Sequence, residues 1–388
     1  MTTALAHPFA PPPAAATETR TYTVSFTTPA FLGNAHQQAQ WRTPPFKAGG
    51  AVDAVGVEHQ QAQWRTPPFK ALIREWWRIV RAGELLGKGA DAKTLHRCIR
   101  TEEAVLFGNA WIKDREGNLL ATRSSVRLRL SSWAEGTPWD RSEAGKGPRV
   151  SVPGASTGAR NGFNAFIYAG FGPLSTEDKV FNPRSAIMPT ADAALEVSFP
   201  TEHETSFDRA LRCIQLFGAV GSRSRNGWGS VQLAPPPAAR LGPVLARWQD
   251  CLALDWPHRV GTDEHGALRW RLKRPVENWQ SAITEIAILR KRINLAVSNP
   301  PGVASERHVL SDPVTKNSGP AGGPNARLAS QLRFKVLAER HELRPTAFHI
   351  PCAVPDALGA PGLMRLQENA WKKVHAAIGA DSKWERAK

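Results

Sequence analysis

The sequence predicts an α+β fold that opens with a ferredoxin-like split βαβ module, and three observations carry that reading. In "TYTVSFTT", Tyr22, Val24 and Phe26 alternate with polar residues, as a half-buried strand requires. From Thr66 onward Leu72, Ile73, Trp76, Trp77 and Val80 share one helical face. The segments that follow then complete the order strand, helix, strand, strand, helix, strand.

Each element has its own signal. The helix in "TPPFKALIREWWRIVRAGELLG" has Thr66 as its cap and Pro67 and Pro68 in its first turn. Lys70, Arg74, Arg78 and Arg81 form a second, wholly cationic stripe on it, and like charges so spaced imply an anion alongside. In "TRSSVRLRL", Val126, Leu128 and Leu130 alternate with Arg123, Arg127 and Arg129, giving a strand with one apolar and one basic face. "ALEVSFP" reads as a strand, "SFDRALRCIQLFGAVG" as a helix with Phe207, Ala210, Leu211 and Ile214 inward, and "VQLA" as the closing strand.

The run "APPPAARLGP" marks a boundary, so the chain divides into a disordered Pro/Ala leader at 1–20, a first module at 21–236 and a second at 240–388. In the second, "ALRWRLK" suggests a strand, "PVENWQSAITEIAILRKRINLAV" a helix, "LRFKVLA" and "TAFHIPC" two strands, and "LMRLQENAWKKVHAAI" a final helix. Residues 142–165 and 299–326, rich in Gly, Pro, Ser and Asn, read as long surface loops.

Composition narrows the function. The chain has 388 residues, 41% of them apolar, and a formal charge of +16, which points to a polyanionic partner, nucleic acid first. No apolar run approaches ~18 residues, so no membrane partner is expected. The N-terminus lacks the pattern of a signal peptide, so a cytoplasmic location is expected. The 4 cysteines, Cys98, Cys213, Cys251 and Cys352, are scattered without CxxC spacing, and no histidine sits in metal-ligand spacing. Neither cofactor nor metal is implied. His36, His59 and His203 are the candidates for a general base in metal-independent RNA cleavage, but no second acid or base pairs with them.

The stretch "GSRSRNGWGS" is neither a Walker loop nor a dinucleotide fingerprint. Gly221, Gly227 and Gly229 would let backbone amides approach an anion, while Arg223, Arg225, Asn226 and Trp228 suit phosphates, amide hydrogen bonds and stacking on a base. The alternative is a plain helix-to-strand turn with solvated arginines. Trp76 and Trp77 belong to the apolar helical face, which leaves Trp228 as the stacking candidate.

Taken in order, "TTPAFLGNA", "WRTPPFKALIREWWR", "AVLFGNA", "RSSVRLRL", "GAVGSRSRNGWGS" and "RLASQLRFKV" resemble the RAMP superfamily of CRISPR-associated RNA-binding proteins. Their arrangement is similar to the family of first subunits of the Cmr (type III-B) effector complex. The resemblance implies two ferredoxin-like (RRM-related) modules with long loop insertions. It also implies a non-catalytic subunit of an antiviral ribonucleoprotein that holds the 3′ side of the guide RNA and helps capture target single-stranded RNA beside other Cmr subunits. By the same resemblance, RNA contacts fall on Arg65, Lys70, Arg74 and Arg78 and on the loop residues Gly221, Arg223, Arg225, Gly227 and Gly229. A RAMP endoribonuclease processing guide precursor is the alternative.

One feature departs from that family. The tract "HQQAQWRTPPFKA" occurs at His36–Ala48 and again at His59–Ala71, and excising residues 36–58 restores one continuous segment. Copy one meets Gly49 and Gly50, which would abort a helix, whereas copy two runs straight into the cationic stripe. The second copy is therefore expected to work and the first to be an inserted loop; the alternative is two functional copies, with Arg42 and Lys47 doubling the basic contacts.

Overall fold

The structure, a computed structural model, describes residues 16–33, 62–113, 119–137, 147–153, 162–174, 176–177, 180–181, 185–298, 305–311, 328–355 and 363–387. The first strand, β1 (Thr17–Phe26), keeps Tyr22, Val24 and Phe26 buried and turns Thr17, Thr19, Thr21 and Thr23 outward. Helix α1 (Thr66–Gly87) follows, and Phe69, Leu72, Ile73, Trp76, Trp77, Ile79 and Val80 line its buried face. Thr66 does not cap it: Arg65 is the extended cap residue, without a side-chain cap bond, and Pro67 and Pro68 fill the first turn, where their missing N–H groups cost nothing.

Helix α2 (Ala92–Phe107) packs on α1, capped by the Asp91 carboxylate. Then come β2 (Arg127–Leu130), the short helix α3 (Ala165–Gly170), β3 (Asp192–Pro200), α4 (Glu204–Phe217) and β4 (Val231–Ala234). The sheet order is β4-β1-β3-β2, antiparallel throughout. Two strand-helix-strand units thus interleave, each bracketing a strand of the other, which is the split βαβ arrangement.

The second sheet repeats this topology. Its elements are β5 (Arg269–Leu272), α5 (Trp279–Ala296), β6 (Leu332–Glu339), β7 (Glu342–His349), α6 (Leu363–Gly379) and β8 (Trp384–Arg386), in the order β6-β7-β5-β8. The fold is accordingly α+β with two such sheets. A small three-stranded sheet over residues 245–267 precedes β5.

Strand β6 joins the halves, and its alternating polar residues find partners in the first half. Arg333 pairs with Glu75 of α1 at 2.6 Å, and the fully buried Lys335 donates to the carbonyls of Ile214, Gly218 and Val231 at 2.9, 2.7 and 2.5 Å. Those carbonyls include the C-terminal end of α4, which has unpaired acceptors and the negative end of the helix dipole. Each half also lends side chains to the other's core: Phe348 and Ile350 pack with α1 and α4, and Phe31 and Trp228 with α5.

Copy two of the repeat is built in from Ala62 onward. The Ala62 amide donates to Ser185 Oγ, and Trp64, buried, stacks on Phe26 at 5.2 Å and lies 6.1 Å from Phe69. Copy one with the insert 36–58, and residues 1–15 of the expected leader 1–20, lie outside the described residues; Thr17–Arg20 of that leader are not disordered but belong to β1, paired with β3. Of the expected loop 299–326, residues 305–311 are described and packed, not surface loop: Val309 is buried and Glu306 pairs with Lys373 at 2.5 Å. Of 142–165, residues 149–150 pair with 163–164 as a short antiparallel ladder leading into α3.

Candidate nucleic-acid interface

The glycine-rich segment leaves α4 and returns to β4 where the two halves meet. It is not a hinge. A Cβ on Gly221, at φ 86°, would come within 2.7 Å of the Phe31 carbonyl oxygen, and one on Gly227, at φ 89°, within 2.7 Å of Ile286 Cδ1 on α5. Both positions need glycine for a left-handed backbone and for close approach to protein, not to phosphate. The amides of Ser222, Asn226, Gly227 and Gly229 already donate to carbonyls of the chain, so those four are not available to cradle an anion.

Two loop side chains change role. Trp228 is wholly buried against Phe31, Phe166 and Trp279, with centroids 5.2, 6.4 and 5.9 Å away, and cannot stack on a base. The Asn226 amide donates to the Ala169 carbonyl at 2.7 Å, tying the loop to α3. Arg223 and Arg225 remain outward. Arg223 sits at φ 60°, and its Nε donates to the Phe171 carbonyl. Arg225 is exposed and accepts the Phe334 amide on its backbone carbonyl, which stitches the loop to β6. Burial of its guanidinium end, then the neighbouring Arg333, lowers Arg225 from its usual range, and Glu75, which already pairs with Arg333, acts in the opposite direction.

The α1 stripe has its anion, and that anion is protein. Glu103 of α2, nearly buried, accepts from Arg74 and from Arg78, with Arg78 Nε at 2.6 Å. Arg81 forks onto Glu102 at 2.6 and 2.8 Å and reaches Glu84 at 3.1 Å. Lys70 donates to Ser124 Oγ at 2.7 Å, its ammonium lowered by burial and then by Arg74. Arg65 packs its guanidinium against Gly33 beyond β1. The like-charge stripe is thus offset by α2, a helix whose acidic residues lie a few dozen positions along the chain.

A second set of cations lacks such partners. Arg290 and Lys291 project from α5 beside the loop: Arg290 Cζ lies 5.4 Å from the Tyr168 ring centroid, and Lys291 Nζ 5.9 Å from both Tyr168 and Phe163. Among the described residues, no carboxylate lies within ion-pair distance of Arg223, Arg225, Arg290 or Lys291. Sequence reasoning passed over this pair, although "LRKRIN" inside a helix is the signal that could have found it.

The histidine candidates do not converge here. His203 stands at the N-terminal side of α4, on the order of 20 Å from the loop at its far end, and His36 and His59 lie outside the described residues. Among the described residues no group of His, Cys, Asp and Glu could hold a metal ion, and no helix is long and apolar enough to cross a membrane. Cys213, Cys251 and Cys352 are buried and Cys98 is half-buried.

No protein-family model and no curated protein matches the chain. Solved structures do. Chains of the type III-B Cmr-beta complex bound to cognate target RNA overlap at TM-scores of 0.42, one with AMPPnP and in the presence of single-stranded DNA (10% identity, 92% of this chain and 98% of that one) and another at 11% identity over 91% and 99%. The chain is likewise similar in structure to Cmr1 from Pyrococcus furiosus in its apo form, at 15% identity and a TM-score of 0.41, over 92% of this chain and 96% of that one.

Proposed function

We propose that this chain is a non-catalytic RNA-binding subunit of a type III-B CRISPR ribonucleoprotein, holding the 3′ side of the guide RNA and helping to capture target RNA in antiviral defence. The observation that carries the reading is a set of cations, Arg223, Arg225, Arg290 and Lys291, gathered where two split βαβ halves meet and in no direct ion pair among the described residues. A chain of formal charge +16 that pairs its α1 arginines internally, yet among its described residues holds these four in no direct ion pair, is suited to an external polyanion. The ordered sequence motifs supply the kind of ribonucleoprotein, with guide RNA, target single-stranded RNA and the other Cmr subunits as partners.

The test uses the full-length protein and a labelled single-stranded RNA in chelator-containing buffer. Four phosphate contacts give an expected slope of about −3 in log K against log salt, at ~0.7 per contact, with the RNA recovered intact. Affinity that ignores salt would contradict the electrostatic reading. Metal-free cleavage, abolished by a histidine-to-alanine change, would make the chain a guide-processing endoribonuclease instead.

A further inference from the structure

Beside the glycine-rich loop, an exposed ring and three cations that pair with no carboxylate among the described residues share one patch. We propose that this patch is a base-stacking subsite for single-stranded RNA, with Phe171 as the platform and Arg223, Arg290 and Lys291 facing the flanking phosphates. The inference rests on the RNA-binding reading above and assigns to it a chemistry that the loop's buried tryptophan cannot provide.

Phe171 follows α3 directly and is 52% exposed, whereas Phe166 one turn earlier is buried. Its carbonyl accepts from Arg223 Nε, which fastens an exposed ring and a guanidinium to one peptide unit. Across from it, Tyr168 lies 5.0 Å from Phe163, edge on, and its hydroxyl accepts from Asn294 Nδ2 at 2.5 Å, so the ring's orientation is fixed. Arg290 and Lys291 lie over these rings. A ring face is a weak substitute for a carboxylate, worth about 0.5–1 kcal/mol at exposed sites. Arg290 Nη1 is buried with no acceptor among the described residues. A phosphate oxygen at the part of the half-buried Arg290 guanidinium that solvent reaches would add a charge-assisted bond that the ring face does not supply.

The same inventory says which nucleic acid fits. A flat exposed ring can take a base only if that base has left its own stack, which selects single strands over duplexes. The nearby amides that could read a base edge, Asn226 and Asn294, already donate to the Ala169 carbonyl and the Tyr168 hydroxyl. Each amide thus has an N–H committed to the fold, and the stacking ring itself accepts any base, as suits a surface handling many different guides.

The experiment compares two strands of equal charge, an oligoadenylate of about ten nucleotides and its abasic counterpart, titrated against full-length wild-type, Phe171→Ala and Arg290→Gln proteins that melt alike. Phe171→Ala should weaken oligoadenylate about 10-fold, leave abasic binding unchanged and leave the salt slope unchanged. Arg290→Gln should weaken both strands and lower the slope by about 0.7. A Phe171→Ala protein that binds both strands as the wild type does, or loses both equally, overturns the subsite. Unchanged RNA binding with failure to enter the ribonucleoprotein would make the patch a protein contact, and overturns it too. If the wild-type protein binds neither strand, the RNA-binding reading falls first.

Discussion

His349 and His375 meet inside the second half with Nδ1 and Nε2 3.1 Å apart, and His349 stacks on Trp371 at 3.7 Å between centroids. Trp248 and Trp270 complete the cage, with Arg386 and, beyond it, Asp263 as the charged groups facing His375. Burial, then Arg386, pulls the His375 imidazole from 6.5 down to about 4, and burial, then His375, holds His349 well below its ordinary range. Both rings are neutral in the folded protein at pH 7. As pH falls below about 6.5 the unfolded chain takes up a proton that the folded one refuses until about 4, so stability is full above that window and is lost within it. The loss from His375 reaches about 3 kcal/mol at 1.36 kcal/mol per unit. Denaturant midpoints measured from pH 7 to pH 4 check this: the wild type should weaken steeply, and His375→Gln, which keeps a donor for His349, should weaken less. Equal slopes would contradict it. Lys335 is a different case. Burial pulls its ammonium well below the usual lysine range, yet it serves three carbonyls and a neutral amine has only two N–H groups, so the charged form is the one that fits.

Among the elements, those with a short-range period were legible from sequence: β1, α1, β3, α4 and β4 fall where alternation or a helical stripe placed them, as do β5, α5, β6, β7 and α6. Helix α2 and strand β8 were not anticipated. Nor could the fate of the α1 stripe be read, because Glu102 and Glu103 meet it only through helix packing. Trp228 misled for the same reason: glycines flank it in sequence, and only the fold brings Phe31, Phe166 and Trp279 around it. The repeat was better specified, since a helix start followed by Leu-Ile can propagate and one followed by Gly-Gly cannot. With Ala62 and Trp64 of copy two in the core, deleting residues 36–58 should leave folding and RNA binding intact, with a stability change of about 1 kcal/mol or less from loop closure. Thermal melts and complex assembly of the shortened protein check this; aggregation or exclusion from the complex would assign copy one a function.

At the scale of the molecule, the loop that joins α4 to β4 is a clasp between halves. Phe334 donates to the Arg225 carbonyl, Thr27 Oγ1 to the Val336 carbonyl at 2.6 Å, and Arg333 reaches Glu75. The clasp presents Arg223 and Arg225 at the seam, next to Arg290 and Lys291, and among the described residues none of the four is in a direct ion pair, Glu75 acting on Arg225 only from its pairing with Arg333. On the reading proposed above, the interface is marked by cations outside direct ion pairs at the seam and not by positive charge alone. The most direct measurement compares single-stranded RNA affinity of two double variants of the full chain, Arg223→Ala with Arg225→Ala and Arg74→Gln with Arg78→Gln. The first pair should bind at least ~10-fold more weakly with little change in melting temperature, each lost phosphate contact removing roughly 1.5–3 kcal/mol where desolvated. The second should lower the melting temperature by stranding the nearly buried Glu103, while its RNA affinity falls less. RNA binding that survives the loop substitutions and collapses with the α1 pair would contradict the account.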